Sequence, residues 1–199
     1  MSLEQLSTIG TLTTVVIVAA TAIAALVQLR HLRAGNQINA ILSVAELLNG
    51  RAFEETLNLI GTELAPALED PNFRAYWIAL MRRETLPPVD SSYIRLRAAV
   101  VNAANTYEQL GVLVRNEIID RTMFVEGFCA PVLGLWNRLA SLTAFLREAE
   151  NDPALWENFE YLAVLGEDWL AHHRTTYPKT MRHLAITNPW PIPAASASR

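Results

Sequence analysis

The N-terminal segment constrains the fold of this chain most, because residues Gln5–Leu29 carry no charge and are mostly apolar. A helix that crosses the hydrocarbon core of a bilayer needs about 20 such residues. The threonines in the segment are compatible with lipid, since a helical Thr hydroxyl can donate to the carbonyl one turn back. We therefore predict a transmembrane helix over residues 9–29, preceded by a short extracytoplasmic N-terminus over residues 1–8.

Three other interpretations of this segment are weaker. A cleaved signal peptide would have a basic start and an apolar run of about 7–15 residues, whereas this chain begins Met1-Ser-Leu-Glu4 and its apolar run is longer. A core helix of a soluble protein rarely runs this far without a charge. A helix lying on the membrane surface needs a polar face, and none occurs between Val15 and Val27.

The residues that flank the segment predict its orientation. Arg30, His31 and Arg33 follow it directly, and no Lys or Arg precedes it. Basic flanks favour the cytoplasmic side of a membrane. The chain also has a single lysine, Lys179, among its 16 Lys and Arg residues, a bias typical of GC-rich bacterial genomes. We therefore expect a bacterial inner (plasma) membrane, with the N-terminus outside and the rest of the chain in the cytoplasm.

Charge and cysteine content limit the partners. The chain has a net charge of −4, and residues 34–173 hold 10 basic and 19 acidic side chains. Such an acidic body argues against nucleic acid as a partner, whereas the basic ends of the soluble part favour an anionic lipid surface. Cys129 is the only cysteine, so it forms no intrachain disulfide and is expected to be a small buried apolar residue.

Apolar periodicity indicates that the anchor helix continues beyond the membrane. Ile38, Ile41, Ala45 and Leu48 recur at helical spacing, which predicts a helical extension over residues 30–50. Gly50 is expected to end the extension.

The remaining pattern predicts an all-α fold, with a cytoplasmic bundle of about five or six helices over residues 51–175 and a flexible tail over 176–199. Aspartates before helical patterns supply the N-cap signals. Pro131 is expected to kink or split the long helix that contains it. The helices expected after the extension are Arg51–Leu64, one starting at Asp70-Pro71, Ser91–Asn116, Arg121–Arg147, and a last one from Asn151-Asp152-Pro153 to about Thr175.

A family resemblance rests on three parts of this pattern. They are Asn105-Thr-Tyr-Glu-Gln-Leu-Gly111, the following Glu117-Ile-Ile-Asp120 with Trp136, and an anchor ending in Leu29-Arg-His-Leu-Arg33. Together they resemble an uncharacterised bacterial family of membrane-anchored all-helical proteins, a domain of unknown function, over roughly Val15–Leu170. The resemblance implies the architecture and adds no activity or cofactor.

The strongest candidate for chemistry is the pair Asp168 and His172. The two residues are four apart, so they share one face of a helix, and a carboxylate with an imidazole can bind a metal or form an acid–base pair. A metal site needs further ligands from facing helices, and no second such motif occurs. We therefore predict no metal or cofactor and favour a solvated pair at a helix end.

Glu108 is the second candidate, because it lies in a helix that is otherwise Ala, Val, Leu and Asn. A stripe through Ile94, Ala98, Val101, Asn105, Glu108 and Val112 would bury this carboxylate if it faced the core. A buried carboxylate must be paired or protonated, and Arg138 is a plausible partner. Structural pairing, an exposed Glu108 and a functional acid all remain open.

The leading hypothesis for function is a membrane-anchored interaction or scaffold module, rather than an enzyme, that docks a protein partner or a second copy. Small residues on the span, such as Ala20 and Ala24, would allow close helix approach in lipid. The alternatives are a membrane-tethered metal-dependent enzyme using Asp168 and His172, and a sensor that binds a lipid or small molecule between its helices.

Overall fold

The chain is all-helical, as predicted. A computed structural model describes residues 3–173, 175, 177, 180–185, 187 and 190, and for residues 4–6, 8, 9 and 11 the backbone alone. Within this part there are six helices and no strand. The helices are α1 Leu3–Leu48, α2 Arg51–Glu69, α3 Pro71–Met81, α4 Ser91–Arg115, α5 Arg121–Glu150 and α6 Glu157–His172.

Helix α1 joins the apolar segment and its extension in one element. It has 46 residues, about 70 Å at a rise of ~1.5 Å per residue, and Gly35 does not interrupt it. Its part over Leu12–Leu48 is long and apolar enough to cross a membrane, and its most apolar window is not buried by the protein. The last turns do contact the domain, where Val44 and Leu48 are buried and Ala40 and Ile41 pack against the core.

The aspartate N-caps begin helices where the sequence predicts them. The Asp70 carboxylate accepts a hydrogen bond from the Asn72 backbone N–H, Asp90 accepts one from Ser92, and Asp120 accepts one from Met123. Such caps satisfy helix N–H groups that have no partner within the helix. Asp70 also accepts from the Tyr93 hydroxyl, and this bond, with that from Asn72, lowers the pKa of Asp70.

Two helices are longer than predicted. Helix α2 passes through Pro66 to Glu69, and α5 continues through Pro131 to Glu150. Of the two effects expected of Pro131, the split near Cys129 is therefore wrong, and the kink stays a prediction. Proline costs a helical hydrogen bond. In α5 the buried side chains of Phe128, Val132 and Leu135 hold the helix against the core on both sides of the proline.

The predicted start of the last helix is also wrong. Helix α6 begins at Glu157, after a turn over residues 151–156, and ends at His172 instead of Thr175. The Asp152 carboxylate caps this turn by accepting from the Ala154 N–H, and Asn151 and Trp156 adopt left-handed backbone angles with φ of 53° and 56°. Most of the predicted tail, residues 176–199, lies outside the described residues.

Helix α4 lies at the centre of the core, with α2 and α6 packed against it and α5 against α6. Val100, Ala103, Ala104 and Tyr107 of α4 have no exposed surface. Helix α6 is antiparallel to α5, because Phe159 packs edge-on against Trp136 at 5.1 Å while Gly166 lies against Leu133 and Cys129. Cys129 is half-buried.

Candidate functional site

The residues predicted to carry chemistry lie at opposite ends of α6. Glu108 projects from α4 toward the first turn of α6, whereas Asp168 and His172 lie in its last two turns. The structure therefore does not combine the two candidates in one site.

Asp168 and His172 form no carboxylate–imidazole pair. The His172 ring nitrogen Nδ1 lies 2.7 Å from the backbone oxygen of Asp168, and both side chains are exposed. His173 stacks on Trp169, with ring centroids 3.8 Å apart. Among the described residues no group of three His, Cys, Asp or Glu side chains is placed to hold a metal ion. These contacts fit a solvated helix end.

Glu108 caps α6 from a neighbouring helix. Its Oε2 atom accepts hydrogen bonds of 3.0 Å from the backbone N–H groups of Asn158 and Phe159, and its Oε1 accepts one of 2.6 Å from the Asn158 side chain. Trp156, the residue at the N-cap position, supplies no side-chain hydrogen bond to the helix. A carboxylate at this position satisfies free N–H groups and interacts favourably with the helix dipole.

Two further residues of α4 complete this junction at one-turn intervals on either side of Glu108. The Asn105 side-chain oxygen accepts a 3.0 Å hydrogen bond from the Trp156 indole. Gly111 lies directly against α6, since a Cβ atom built there would be 2.2 Å from the Asn158 carbonyl oxygen. We call Asn105, Glu108 and Gly111 the α6 clamp, because they fix the position and start of α6.

The clamp corrects two expectations about α4. Arg138 is not the partner of Glu108, because its guanidinium lies beside Gly61 of α2. The stripe through Glu108 does not face the core but lies at the edge of the packed surface, where Ile94, Ala98 and Asn105 are exposed and Glu108 is half-buried. The buried stripe of α4 runs through Leu96, Val100, Ala103, Tyr107, Leu110 and Val114.

Tyr107 supports the clamp from within the core. Its ring stacks on Phe159 at 5.0 Å and packs edge-on against Phe53 at 6.0 Å. Its hydroxyl is buried and has no hydrogen-bond partner among the described residues. Burial raises the pKa of this phenol to about 12, because the phenolate would be desolvated without compensation.

Sequence reasoning missed Trp156 and Asn158, the α6 side of the junction. The spacing of Asn105, Glu108 and Gly111 was visible and carried the family resemblance, yet nothing local indicates which helix these residues face. Arg30, His31 and Arg33, the three residues predicted to flank the membrane, are exposed on α1. The geometry at the clamp satisfies the Glu108 carboxylate and supports a structural role for it.

Comparison with known proteins gives one match. A family model described as "Domain of unknown function (DUF4760)" matches residues 15–169. No curated protein and no solved structure matches the chain.

Proposed function

The chain belongs to the DUF4760 family, and we propose that it is a single-pass membrane-anchored interaction module whose helical domain docks a protein partner or a second copy. The observation that carries this proposal is α1, whose apolar part is unburied over its most apolar window and continues without a break into the packed domain. The module has no proposed cofactor and does not bind nucleic acid. Its anchor contacts membrane lipid.

The junction of α1 with the domain supports transmission of position between membrane and domain. Val44 and Leu48 are buried against the core, so the last turns of α1 are held by the domain. Sharp bends in long helices occur at prolines, at glycine–serine pairs or at bulges. Helix α1 contains no proline and no glycine–serine pair. A partner that moves the domain would therefore also tilt the anchor.

An exposed apolar surface beside the anchor supports docking. Leu47 on α1 is 50% exposed, and Ile118 in the turn after α4 is 57% exposed. Both line a groove of about 400 Å³ between α1 and α4, together with Val44 and Leu113. Contiguous apolar surface of this kind is typical of interaction sites.

The proposed orientation rests on the flanking residues. Arg30 and Arg33 follow the apolar segment of α1, which supports a cytoplasmic domain and an outside N-terminus. The proposed membrane is the bacterial inner membrane. In spheroplasts treated with external protease, the domain should survive until the membrane is lysed, and digestion of the domain in intact spheroplasts would overturn this topology.

Site-specific crosslinking in native membranes tests the docking. Leu47→Cys in a Cys129→Ser background places a thiol on the α1 side of this groove, and Glu84→Cys, in the exposed loop between α3 and α4, is the matched control. We expect Leu47→Cys to give a reproducible disulfide dimer or a single crosslinked partner that Glu84→Cys does not give. Monomer alone from both variants would contradict the proposal.

A further inference from the structure

We propose that the groove between α2, α3 and α5 binds an amphiphilic oxyanion, with its phosphate or carboxylate group held by Arg138 and its apolar chain on the groove floor. This α2–α5 groove has a volume of about 510 Å³, within the range of about 300–1,000 Å³ typical of small-molecule sites. It is separate from the α6 clamp and from the surface beside the anchor, so its occupancy does not depend on the proposed docking.

The floor of the α2–α5 groove is apolar. Ile60 and Leu64 of α2 are 1% and 2% exposed, and Leu68 and Phe145 are half-buried beside them. Ile60 and Leu64 are already covered, so an aliphatic chain in the groove would remove from water the remaining surface of Leu68 and Phe145. This is favourable in proportion to the apolar area covered.

Two arginines line the groove, and one of them, Arg74, also lies near the Asp70 carboxylate, whose pKa it helps to lower. The Arg74 guanidinium donates one hydrogen bond to the Leu68 carbonyl, which holds it at the end of α2. The Arg138 guanidinium lies over α2 at Gly61, where an added Cβ would be 3.1 Å from its Nη1 atom. Neither forms an ion pair within the described residues, whereas Arg51, Arg95, Arg115 and Arg147 each face a glutamate.

The remaining polar lining defines the ligand more closely. Asn137 and Ser141 lie one turn apart on α5 and supply neutral donors next to Arg138. Arginine's planar fork matches the oxygens of phosphate and carboxylate. Glu69 lies at the other end of the same groove, beside Leu68, and would repel an anion by Coulomb interaction. The headgroup therefore belongs at Arg138, which lies over Gly61, about two helical turns from Glu69.

Titration calorimetry on the full chain in phosphatidylcholine nanodiscs tests the site, with hexyl phosphate as the probe and empty nanodiscs as the blank. We expect saturable binding that is at least tenfold tighter than that of inorganic phosphate or hexanol. Arg138→Gln should weaken it at least tenfold, Arg138→Lys should weaken it less, and Glu69→Gln should tighten it. No saturable binding, or equal binding by Arg138→Gln, would overturn the proposal.

Two glycine substitutions distinguish an effect on ligand binding from an effect on folding. Gly61→Ala adds a methyl group against the mobile end of Arg138 and should displace the guanidinium, so it should weaken hexyl phosphate binding while raising thermal stability, since alanine favours helix. Gly127→Ala on α5, which has open space around it, should raise stability and leave binding unchanged. Equal binding by both variants would show that the Gly61–Arg138 contact is not part of the site.

Nanodiscs that contain anionic phosphatidylglycerol distinguish a membrane lipid from a free amphiphile. If the ligand is a lipid of the surrounding bilayer, these nanodiscs should compete with hexyl phosphate and lower its apparent affinity in the wild type but not in Arg138→Gln. If it is a free amphiphile, the affinity should be the same in both lipid compositions. Either result is consistent with the site, and each identifies a different source for the same headgroup chemistry.

Discussion

Gly111 and Asn158 bring α4 and α6 so close together that a methyl group on the glycine would lie 2.2 Å from the Asn158 carbonyl oxygen. This approach places the first turn of α6 within reach of the Glu108 carboxylate, which accepts the N–H groups of Asn158 and Phe159. The side chain that sequence reasoning marked as a possible acid is therefore held where α6 needs a cap.

Gly111→Ala should destabilise the protein by about 1–3 kcal/mol, because the new methyl group meets backbone atoms that cannot move aside independently. Thermal unfolding of the full chain in mild detergent, followed by tryptophan fluorescence, measures the change. Gly134→Ala is the control, since open space surrounds Gly134 on α5, and it should stabilise the helix by ~0.5–1 kcal/mol. A neutral Gly111→Ala would contradict the close approach.

Glu108→Ala should destabilise the protein by about 1–3 kcal/mol, because it leaves buried N–H groups of α6 without acceptors. Glu108→Gln retains one carbonyl oxygen and should lose less. Amide hydrogen exchange localises the effect, with faster exchange expected at Asn158 and Phe159. Gln109→Ala, at an exposed neighbouring position, should leave those amides protected. Protected amides in Glu108→Ala would disprove the capping role.

The raised pKa of the buried Tyr107 phenol predicts that the protein loses stability in alkali. In the folded protein Tyr107 has a pKa of about 12, above the value of 10.0 for a free tyrosine, so its contribution is complete below pH 10 and is lost as pH rises from 10 to about 12. The loss is on the order of 2–3 kcal/mol. Unfolding free energies measured from pH 8 to 12 should show this decline.

Tyr107→Phe is the matching variant for that experiment. It removes a buried hydroxyl that has no partner among the described residues, so its stability at pH 7 should equal or exceed that of the wild type. The alkaline decline should be smaller. Tyr161→Phe on α6 should keep the wild-type decline, and an identical decline in Tyr107→Phe would show that another group causes it.

His172→Ala tests the metal-enzyme alternative. The His172 ring faces a backbone oxygen of its own helix instead of a second ligand, so we expect the variant to have the wild-type melting temperature with and without added Zn²⁺. Elemental analysis of the purified full chain should find no stoichiometric metal. Stoichiometric zinc that disappears in His172→Ala would restore the alternative.

The local sequence predicts most of the helix starts and the long apolar helix at the N-terminus. Asp70, Asp90 and Asp120 cap helices through their own next residues, so these starts follow from interactions within three residues. Only the α4 side of the candidate site could be predicted from the sequence. The interval from Asn105 to Gly111 is visible in the sequence, but its partners Trp156 and Asn158 lie about 50 residues away and are selected by packing.

By itself the sequence determined an apolar, uncharged N-terminal helix, its continuation beyond Arg33 and an all-helical domain, because periodicity and caps are local properties of the chain. Only the tertiary structure decided that α6 begins after a left-handed Trp156, that Glu108 caps it, and that Arg138 reaches across Gly61 into the α2–α5 groove. These contacts join distant segments, and their geometry depends on how closely the helices approach one another.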